Sequence, residues 1–275
     1  MNIVIVGAGM AGCKLAESLV NAHQGNMNIT LVSEEAQVGY NRILLSSLLA
    51  QDITEDQLAF VDITKLKAKG VTVLSGDPAV SINNAQNLVS LRSGKKLSYD
   101  KLVLATGSQP THLPVFDSTA KNVMAFRTWE DANTLAALPA PQNIAVIGAG
   151  LLGLEAAVGL AKKGHIVTVF HRAIHIMNRQ LDSTAANLLQ TNLERMGVRF
   201  CLTDTPQAAL TNTANHVTHL TRKNGSSIVV DLVILAVGIS PEVSLAKTAS
   251  LAINRAIIVN AQMQSSADDI YALGE

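Results

Sequence analysis

Gly7, Gly9 and Gly12 follow directly on the apolar run Ile3-Val4-Ile5-Val6 and fall at G-x-G-x-x-G spacing. Glycines at this spacing between a buried strand and a helix form a cradle for phosphate. The first permits a tight turn, the second lets backbone approach a pyrophosphate, and the third lets the helix pack closely on the strand. Met10 and Ala11 lie within the same loop, and Lys14 to Val20 continue as a helix whose free N–H groups and positive dipole end face the phosphates. An acid that accepts hydrogen bonds from a ribose belongs at the end of the next strand, about 20 residues on. Ile29 to Ser33 supply that strand, and Glu34 follows 22 residues after Gly12.

The same unit is written twice. Asn143 to Ile147 lead into Gly148, Gly150 and Gly153, with Leu151 and Leu152 inside the loop, and Gly148 lies 141 positions after Gly7. One copy alone also admits a structural β-turn-α unit with no ligand, as the lesser reading. Two copies with correct strand and helix context point to two dinucleotide sites, most economically one for a flavin and one for a nicotinamide.

The second copy departs from the first at the end of its second strand. Ile166 to Phe170 lead into His171 and Arg172 where the acid is expected. An acid there selects an unmodified ribose, whereas a basic residue suits a 2′-phosphate. This favours NADPH, or use of both coenzymes, over a pair of solvent-facing side chains. Arg42 stands at the mouth of the first fingerprint, where its guanidinium either contacts a pyrophosphate or flavin edge or is simply solvated.

The composition excludes several other chemistries. Lys plus Arg and Asp plus Glu number 21 each, and neither sign forms a block, which argues against a nucleic-acid or membrane-surface footprint. Met1 leads straight into the first strand, and the apolar stretch Leu232 to Ile239 is too short to span a bilayer, so the chain reads as soluble and cytoplasmic. Cys13 and Cys201 are the only cysteines and form no C-x-x-C, which removes a redox-active dithiol and Cys-ligated clusters; each reads as a small buried hydrophobe. The seven histidines show no metal-binding spacing.

Several further elements must position these residues. Ile43 to Ala50 read as an apolar helix, Asp62 to Lys69 as a short one, and Val71 to Leu74 as a strand of the parallel sheet. Ala79 to Ile82, Asn87 to Leu91 and Lys96 to Tyr99 read as an antiparallel meander, and Leu102 to Gly107 as another buried strand. Thr128 is an N-cap with Asp131 at the capping-box position of a helix to Leu138. Asp182 or Ser183 caps a helix to Met196, with Leu188, Leu189, Leu193 and Met196 as its buried stripe. Ile257 to Asn260 and the closing stretch around Ile270 return to strand character and add a last strand to the first domain. The expected fold is α/β: two Rossmann-like three-layer dinucleotide-binding domains, residues 1–112 plus 242–275 for FAD and residues 113–241 for NAD(P)H, the second inserted into the first.

The ordered set of the first fingerprint, Ala105-Thr106-Gly107, the second fingerprint, Gly238-x-x-Pro241 and Ile270-Tyr271-Ala272-Leu273-Gly274-Glu275 resembles the two-domain flavoprotein family that includes the pyridine nucleotide-disulfide reductases. Tyr40 to Ser46 and Met177 to Asp182 are similar to the flavin reductase portion of assimilatory nitrite reductase large subunits, with rubredoxin and ferredoxin reductases as near neighbours. The resemblance implies that Gly7, Gly9, Gly12, Glu34 and Arg42 hold FAD, that Ala105, Thr106 and Gly107 close over its pyrophosphate side, and that Glu275 binds the ribityl chain. For the nicotinamide coenzyme it implies Gly148, Gly150, Leu151, Leu152, Gly153, His171, Arg172 and Gly238. Glu155 matches a glutamate that lies near flavin N5 in many relatives, where a lysine pairs with it; the relatives' L-S-K is Leu45-Ser46-Ser47 in this chain. The family continues past the position of Glu275, so the first domain is expected to continue too. The resemblance implies an electron outlet to an iron–sulfur or siroheme domain or to an electron-carrier protein. A rubredoxin or ferredoxin reductase, and a non-catalytic nucleotide-binding redox sensor, are the rival readings.

Overall fold

The computed structural model describes residues 1–22 and 27–275. In chain order the regular elements begin with β1 (Asn2–Val6), α1 (Met10–Ala22), β2 (Asn28–Val32), α2 (Leu45–Leu49), α3 (Ile63–Ala68) and β3 (Thr72–Leu74). There follow β4 (Ala79–Asn83), β5 (Leu88–Leu91), β6 (Lys96–Ser98), β7 (Lys101–Leu104), β8 (Ser108–Pro110) and β9 (Val123–Ala125). The second half holds α4 (Trp129–Ala136), β10 (Asn143–Ile147), α5 (Leu151–Lys162), β11 (Ile166–His171), α6 (Ser183–Arg195) and β12 (Arg199–Leu202). The chain closes with β13 (Ala208–Thr211), β14 (Val217–Thr221), β15 (Ser227–Val229), β16 (Leu232–Leu235), β17 (Ile239–Pro241), α7 (Ser244–Thr248) and β18 (Ile270–Ala272).

These elements fall into two compact units. One comprises Met1–Arg42, Leu58–Gln109 and Ser240–Glu275; the other comprises Ile43–Gln57 and Pro110–Ile239. In the first, a five-stranded parallel sheet has the order β18-β7-β1-β2-β3, with Val6 in register with Val32 on one side and Leu104 on the other. Because β1 is covered on both faces, it reads as a continuous apolar run rather than an alternating one. One face packs Val4, Val6, Leu102 and Leu104 against the β4-β5-β6 meander and α7; the other packs Ile3, Ile5, Leu31 and Val103 against α1 and α3.

The second unit repeats this plan with a five-stranded sheet of order β12-β11-β10-β16-β9, all of its strands parallel. Ile147, Val233, Leu235 and Phe170 pack with Val217 and Leu220 of an antiparallel β13-β14-β15 sheet. The α2 segment belongs to this unit: Leu49 lies so close to Gly159 of α5 that a Cβ there would stand 3.1 Å from its Cγ, and Asp52 pairs with Lys162 at 3.1 Å.

Local chemistry sets the element ends. Thr128 and Asp131 form the reciprocal capping box of α4, which stops at Ala136, two residues short of the expected Leu138. Asp182 caps α6 by accepting from the Ala185 N–H at 2.8 Å. Two sequence expectations fail. The buried side of α6 is Ala186 and Leu193 with Leu189 half-buried, whereas Leu188 is 65% and Met196 43% exposed. Leu188 lies two residues past Ala186, about 200° around the helix, and Met196 is the C-cap beyond its last turn. Ile257–Asn260 makes no strand: Ile257 only bridges Ile253, and the Asn260 carboxamide accepts from the Gln262 and Gln264 N–H groups, turning the chain away. The closing strand is β18 alone, on the first sheet beside β7 as expected.

Candidate dinucleotide-binding sites

The first candidate site lies at the carboxyl ends of β1, β2 and β7, where the strand order of a doubly wound sheet reverses and ligands bind. Its three glycines have different reasons to be glycine. Gly7 has φ +111°, and a Cβ there would stand 2.0 Å from the Ala105 carbonyl oxygen. A Cβ on Gly12 would stand 1.9 Å from the Gly7 carbonyl oxygen. Both are required by the chain's own packing. Gly9 differs: a Cβ there would meet nothing within 4 Å, and its φ lies outside the left-handed region. The space beside Gly9 is therefore left open by the protein, at the amino end of α1 where Met10 and Ala11 begin the helix.

A cavity of about 390 Å³ continues from Gly7, within the range of small-molecule sites, and is lined among others by Val32, Glu34, Arg92, Thr106 and Glu242. Glu34 is 64% exposed and pairs with Arg92 at 3.4 Å. Thr106 Oγ1 donates to the Glu242 carbonyl oxygen at 3.0 Å, and the Glu242 N–H donates to the Gly107 carbonyl at 2.8 Å, so the Ala105-Thr106-Gly107 turn is pinned beside the cradle. The Glu242 carboxyl is pushed up by burial, but hydrogen bonds from Ser244 outweigh this and hold it below the usual carboxylate range. Glu275 accepts from Ser108 Oγ at 2.9 Å. Arg42 is held by Glu35, not Glu34: its Nη2 lies 2.6 Å from Glu35 Oε1, while Tyr40 Oη donates to Glu35 Oε2 at 2.6 Å and the guanidinium lies 5.5 Å from the Tyr40 ring centroid.

The second candidate site reproduces the first. Gly148 has φ +118° and a Cβ there would stand 2.3 Å from the Ala236 carbonyl oxygen; a Cβ on Gly153 would stand 2.1 Å from the Gly148 oxygen; one on Gly150, the N-cap of α5, meets nothing within 4 Å. Leu151 and Leu152 are exposed at the start of α5, Glu155 is half-buried one turn further in, and Gly238 has φ +116° with open space around it. Ala236-Val237-Gly238 thus stands to this cradle as Ala105-Thr106-Gly107 stands to the first. The signal for Ala236 was in the sequence as a repeated Ala-x-Gly.

His171 does not point freely into solvent. Its Nδ1 accepts from the Ala149 N–H at 3.3 Å, and its Nε2 lies 3.1 Å from Asn178 Oδ1. Burial pushes this imidazole below the usual histidine range, opposed by the Asn178 hydrogen bond and reinforced by Arg172 and His175. Arg172 is exposed. Asn178, Glu35, Arg92 and Glu242 were not singled out by the sequence, because each acquires its place only through a long-range contact or a loop.

Both cysteines are buried and free, and burial pushes their thiols up, that of Cys13 to about 11. Among the described residues no group of three His, Cys, Asp or Glu side chains could hold a metal ion, and no helix is long and apolar enough to cross a membrane.

Comparison with known proteins shows the family. The family model for pyridine nucleotide-disulphide oxidoreductase matches residues 1–275. The chain is 42% identical over 275 residues to the assimilatory nitrate reductase electron transfer subunit of Bacillus subtilis, covering 99% of this chain and 35% of that protein. It is 33% identical over 281 residues to the rubredoxin-NAD(+) reductase of Ectopseudomonas oleovorans, covering 71% of it. Among solved structures, the putidaredoxin reductase–putidaredoxin complex superposes with a TM-score of 0.90 at 31% identity, over 99% of this chain and 67% of that one. The chain thus spans about a third of the first curated relative it matches. With a family match along residues 1–275, the chain belongs to the pyridine nucleotide-disulphide oxidoreductase family.

Proposed function

We propose that the first unit holds FAD and the second NAD(P)H, and that the module passes electrons to a redox centre outside this chain. The observation that carries this reading is the pair of open spaces at Gly9 and Gly150, each beside two glycines that the protein's own packing explains. Those spaces lie at the amino ends of α1 and α5, where backbone N–H groups and helix dipoles favour pyrophosphate. Glu34 accepts from a ribose of FAD, Arg42 is aimed by Glu35, and the Thr106–Gly107 turn borders the same cleft. On the second unit Gly148, Gly150 and Gly153 carry the coenzyme pyrophosphate, with His171 and Arg172 at its adenosine ribose. The bound cofactors supply the hydride chemistry, and the protein supplies position and electrostatics. Glu155, half-buried behind the second cradle, supports the coenzyme side.

The relatives suggest the outlet. The likeness to an assimilatory nitrate reductase electron transfer subunit and to the nitrite reductase [NAD(P)H] of Bacillus subtilis, 38% identical, supports an iron–sulfur or siroheme domain as acceptor. A rubredoxin or ferredoxin reductase is the second reading, supported by the 33% identity to a rubredoxin-NAD(+) reductase. Cys13 and Cys201, both buried and unpaired, supply no redox disulfide to either outlet. The test is a visible spectrum of the protein with added FAD, followed by anaerobic titration with NADPH and NADH. Flavin bands that bleach support the module; bands that neither coenzyme bleaches sink it in favour of a nucleotide-binding sensor.

A further inference from the structure

The segment after β11 folds back over the second cradle. Met177, with φ +49°, donates its N–H to the Ala149 carbonyl at 2.9 Å, and Gln180 and Leu181 close a turn on the Met177 carbonyl. The Ala173 carbonyl is tied to the Thr203 N–H at 3.1 Å. This strap sets Asn178 against the His171 ring. Because His171 Nδ1 accepts from the Ala149 amide, the ring proton sits on Nε2 and is donated to Asn178 Oδ1.

That arrangement has a consequence for coenzyme choice. A carboxylate at this strand end accepts hydrogen bonds from ribose hydroxyls. The single lone pair of the His171 ring is already used by Ala149, so the ring offers a ribose only an N–H donor. A donor next to the exposed Arg172 suits phosphate oxygens, and the acceptor that occupies it is an exposed, movable carboxamide. Resting on the reading of the second cradle as a nicotinamide-coenzyme site, we propose that Asn178 is a specificity-determining residue: its Oδ1 holds on His171 Nε2–H the place that a 2′-phosphate oxygen takes from a 2′-phosphorylated adenosine. Arg172 supplies the charge, and Asn178 swings out as the phosphate enters.

The experiment is calorimetric titration of the FAD-supplemented protein with 2′,5′-ADP and with 5′-ADP, on the wild type, Asn178→Ala and Asn178→Asp, with Gly150→Val as background for the second site. Asn178→Ala is expected to bind 2′,5′-ADP about three- to tenfold more tightly, the range of one net neutral hydrogen bond that no longer has to be broken, with 5′-ADP unchanged. Asn178→Asp places a like charge beside the phosphate and is expected to weaken 2′,5′-ADP about tenfold or more, again sparing 5′-ADP. A purely structural role for the strap would move both ligands together. Equal changes in both, or no change in either variant, overturn the proposal while leaving the coenzyme site standing. Binding of neither nucleotide above the Gly150→Val background overturns the coenzyme site, and this proposal with it.

Discussion

Valine at Gly9 and alanine at Gly12 separate what a ligand needs from what the fold needs, although both glycines belong to one motif. At Gly9 a Cβ meets no protein atom within 4 Å and the backbone is not left-handed, so a side chain there costs the fold less than about 1 kcal/mol. The methyls of valine instead fill the space through which backbone N–H groups reach a pyrophosphate. Losing two such charge-assisted hydrogen bonds, at about 1.5–3 kcal/mol each, weakens FAD binding by about 10²- to 10⁴-fold. At Gly12 the Cβ stands 1.9 Å from the Gly7 carbonyl, a clash with backbone that only a shift of α1 or the loop relieves. Overpacking costs typically run about 1–3 kcal/mol, and a backbone oxygen as the obstacle places this one at the upper end. The assay is the 450 nm to 280 nm absorbance ratio after desalting with FAD, together with the melting temperature of the apoprotein. Gly9→Val should lose its flavin and melt within about 2 °C of the wild type, whereas Gly12→Ala should lose flavin and melt about 5 °C or more lower. A Gly9→Val protein with full flavin content would refute the cradle assignment, and one that melts as low as Gly12→Ala would refute the steric argument.

Three more perturbations address other residues. Arg172→Ala should raise the KM for NADPH about 10- to 100-fold, the worth of one charge-assisted hydrogen bond, while the KM for NADH moves less than about twofold; equal effects would remove the 2′-phosphate reading. His165 is 5% exposed with neither ring nitrogen hydrogen-bonded, and burial, with Lys163 nearby, pushes its pKa down. The unfolded state therefore binds the proton more readily, so its stabilising effect is full above pH about 6.5 and is lost as pH falls below that value toward the folded pKa. Melting temperature should fall on acidification from pH about 7.5 to 5.5 in the wild type and less steeply in His165→Leu; parallel slopes would exclude His165 as the group responsible. Asp204 is 6% exposed and accepts from Arg222 Nε at 2.8 Å and from the Lys223 N–H at 3.1 Å; these bonds outweigh burial and hold its carboxyl below the usual range. Asp204→Ala should cost about 3 kcal/mol by urea denaturation, the low end for a broken buried pair because Arg222 keeps some solvent, and a loss under about 1 kcal/mol would show the pair to be dispensable.

What the sequence revealed and what it hid follow from how local each feature is. The fingerprints were readable because Gly7 to Gly12 and Gly148 to Gly153 are single short segments with a fixed glycine spacing, even though Gly7 and Gly148 are also confined by the distant Ala105 and Ala236 carbonyls. The α4 capping box and the Asp182 cap were readable for the same reason. Orientation was harder. Leu188 is apolar but falls on the solvent side of α6, since the packed side is set by Ala186 and Leu193. The spacing from Gly12 picks out Glu34 but says nothing of its neighbour Glu35; the structure gives Glu34 to the cleft and Arg92, and Glu35 to Arg42 and Tyr40. Asn178 lies seven residues beyond His171, and only the return of the strap over Ala149 brings the two together.

The duplication itself explains where selectivity must reside. The two cradles agree in the φ of their first glycine, +111° against +118°, and in the clearance that forbids a Cβ, 2.0 against 2.3 Å to Ala105 or Ala236 and 1.9 against 2.1 Å to the first glycine's own carbonyl. Backbone that similar presents the same N–H groups to any pyrophosphate, and so cannot by itself distinguish a flavin dinucleotide from a nicotinamide one. The difference begins where the second strand of each sheet ends. After β2 stand two carboxylates, Glu34 and Glu35; after β11 stand an imidazole committed as an acceptor to Ala149 and an exposed guanidinium. A ribose with free hydroxyls finds acceptors at the first and only donors at the second. On the proposed reading, one backbone design serves two dinucleotides, and two or three side chains beyond each second strand decide which adenosine each accepts.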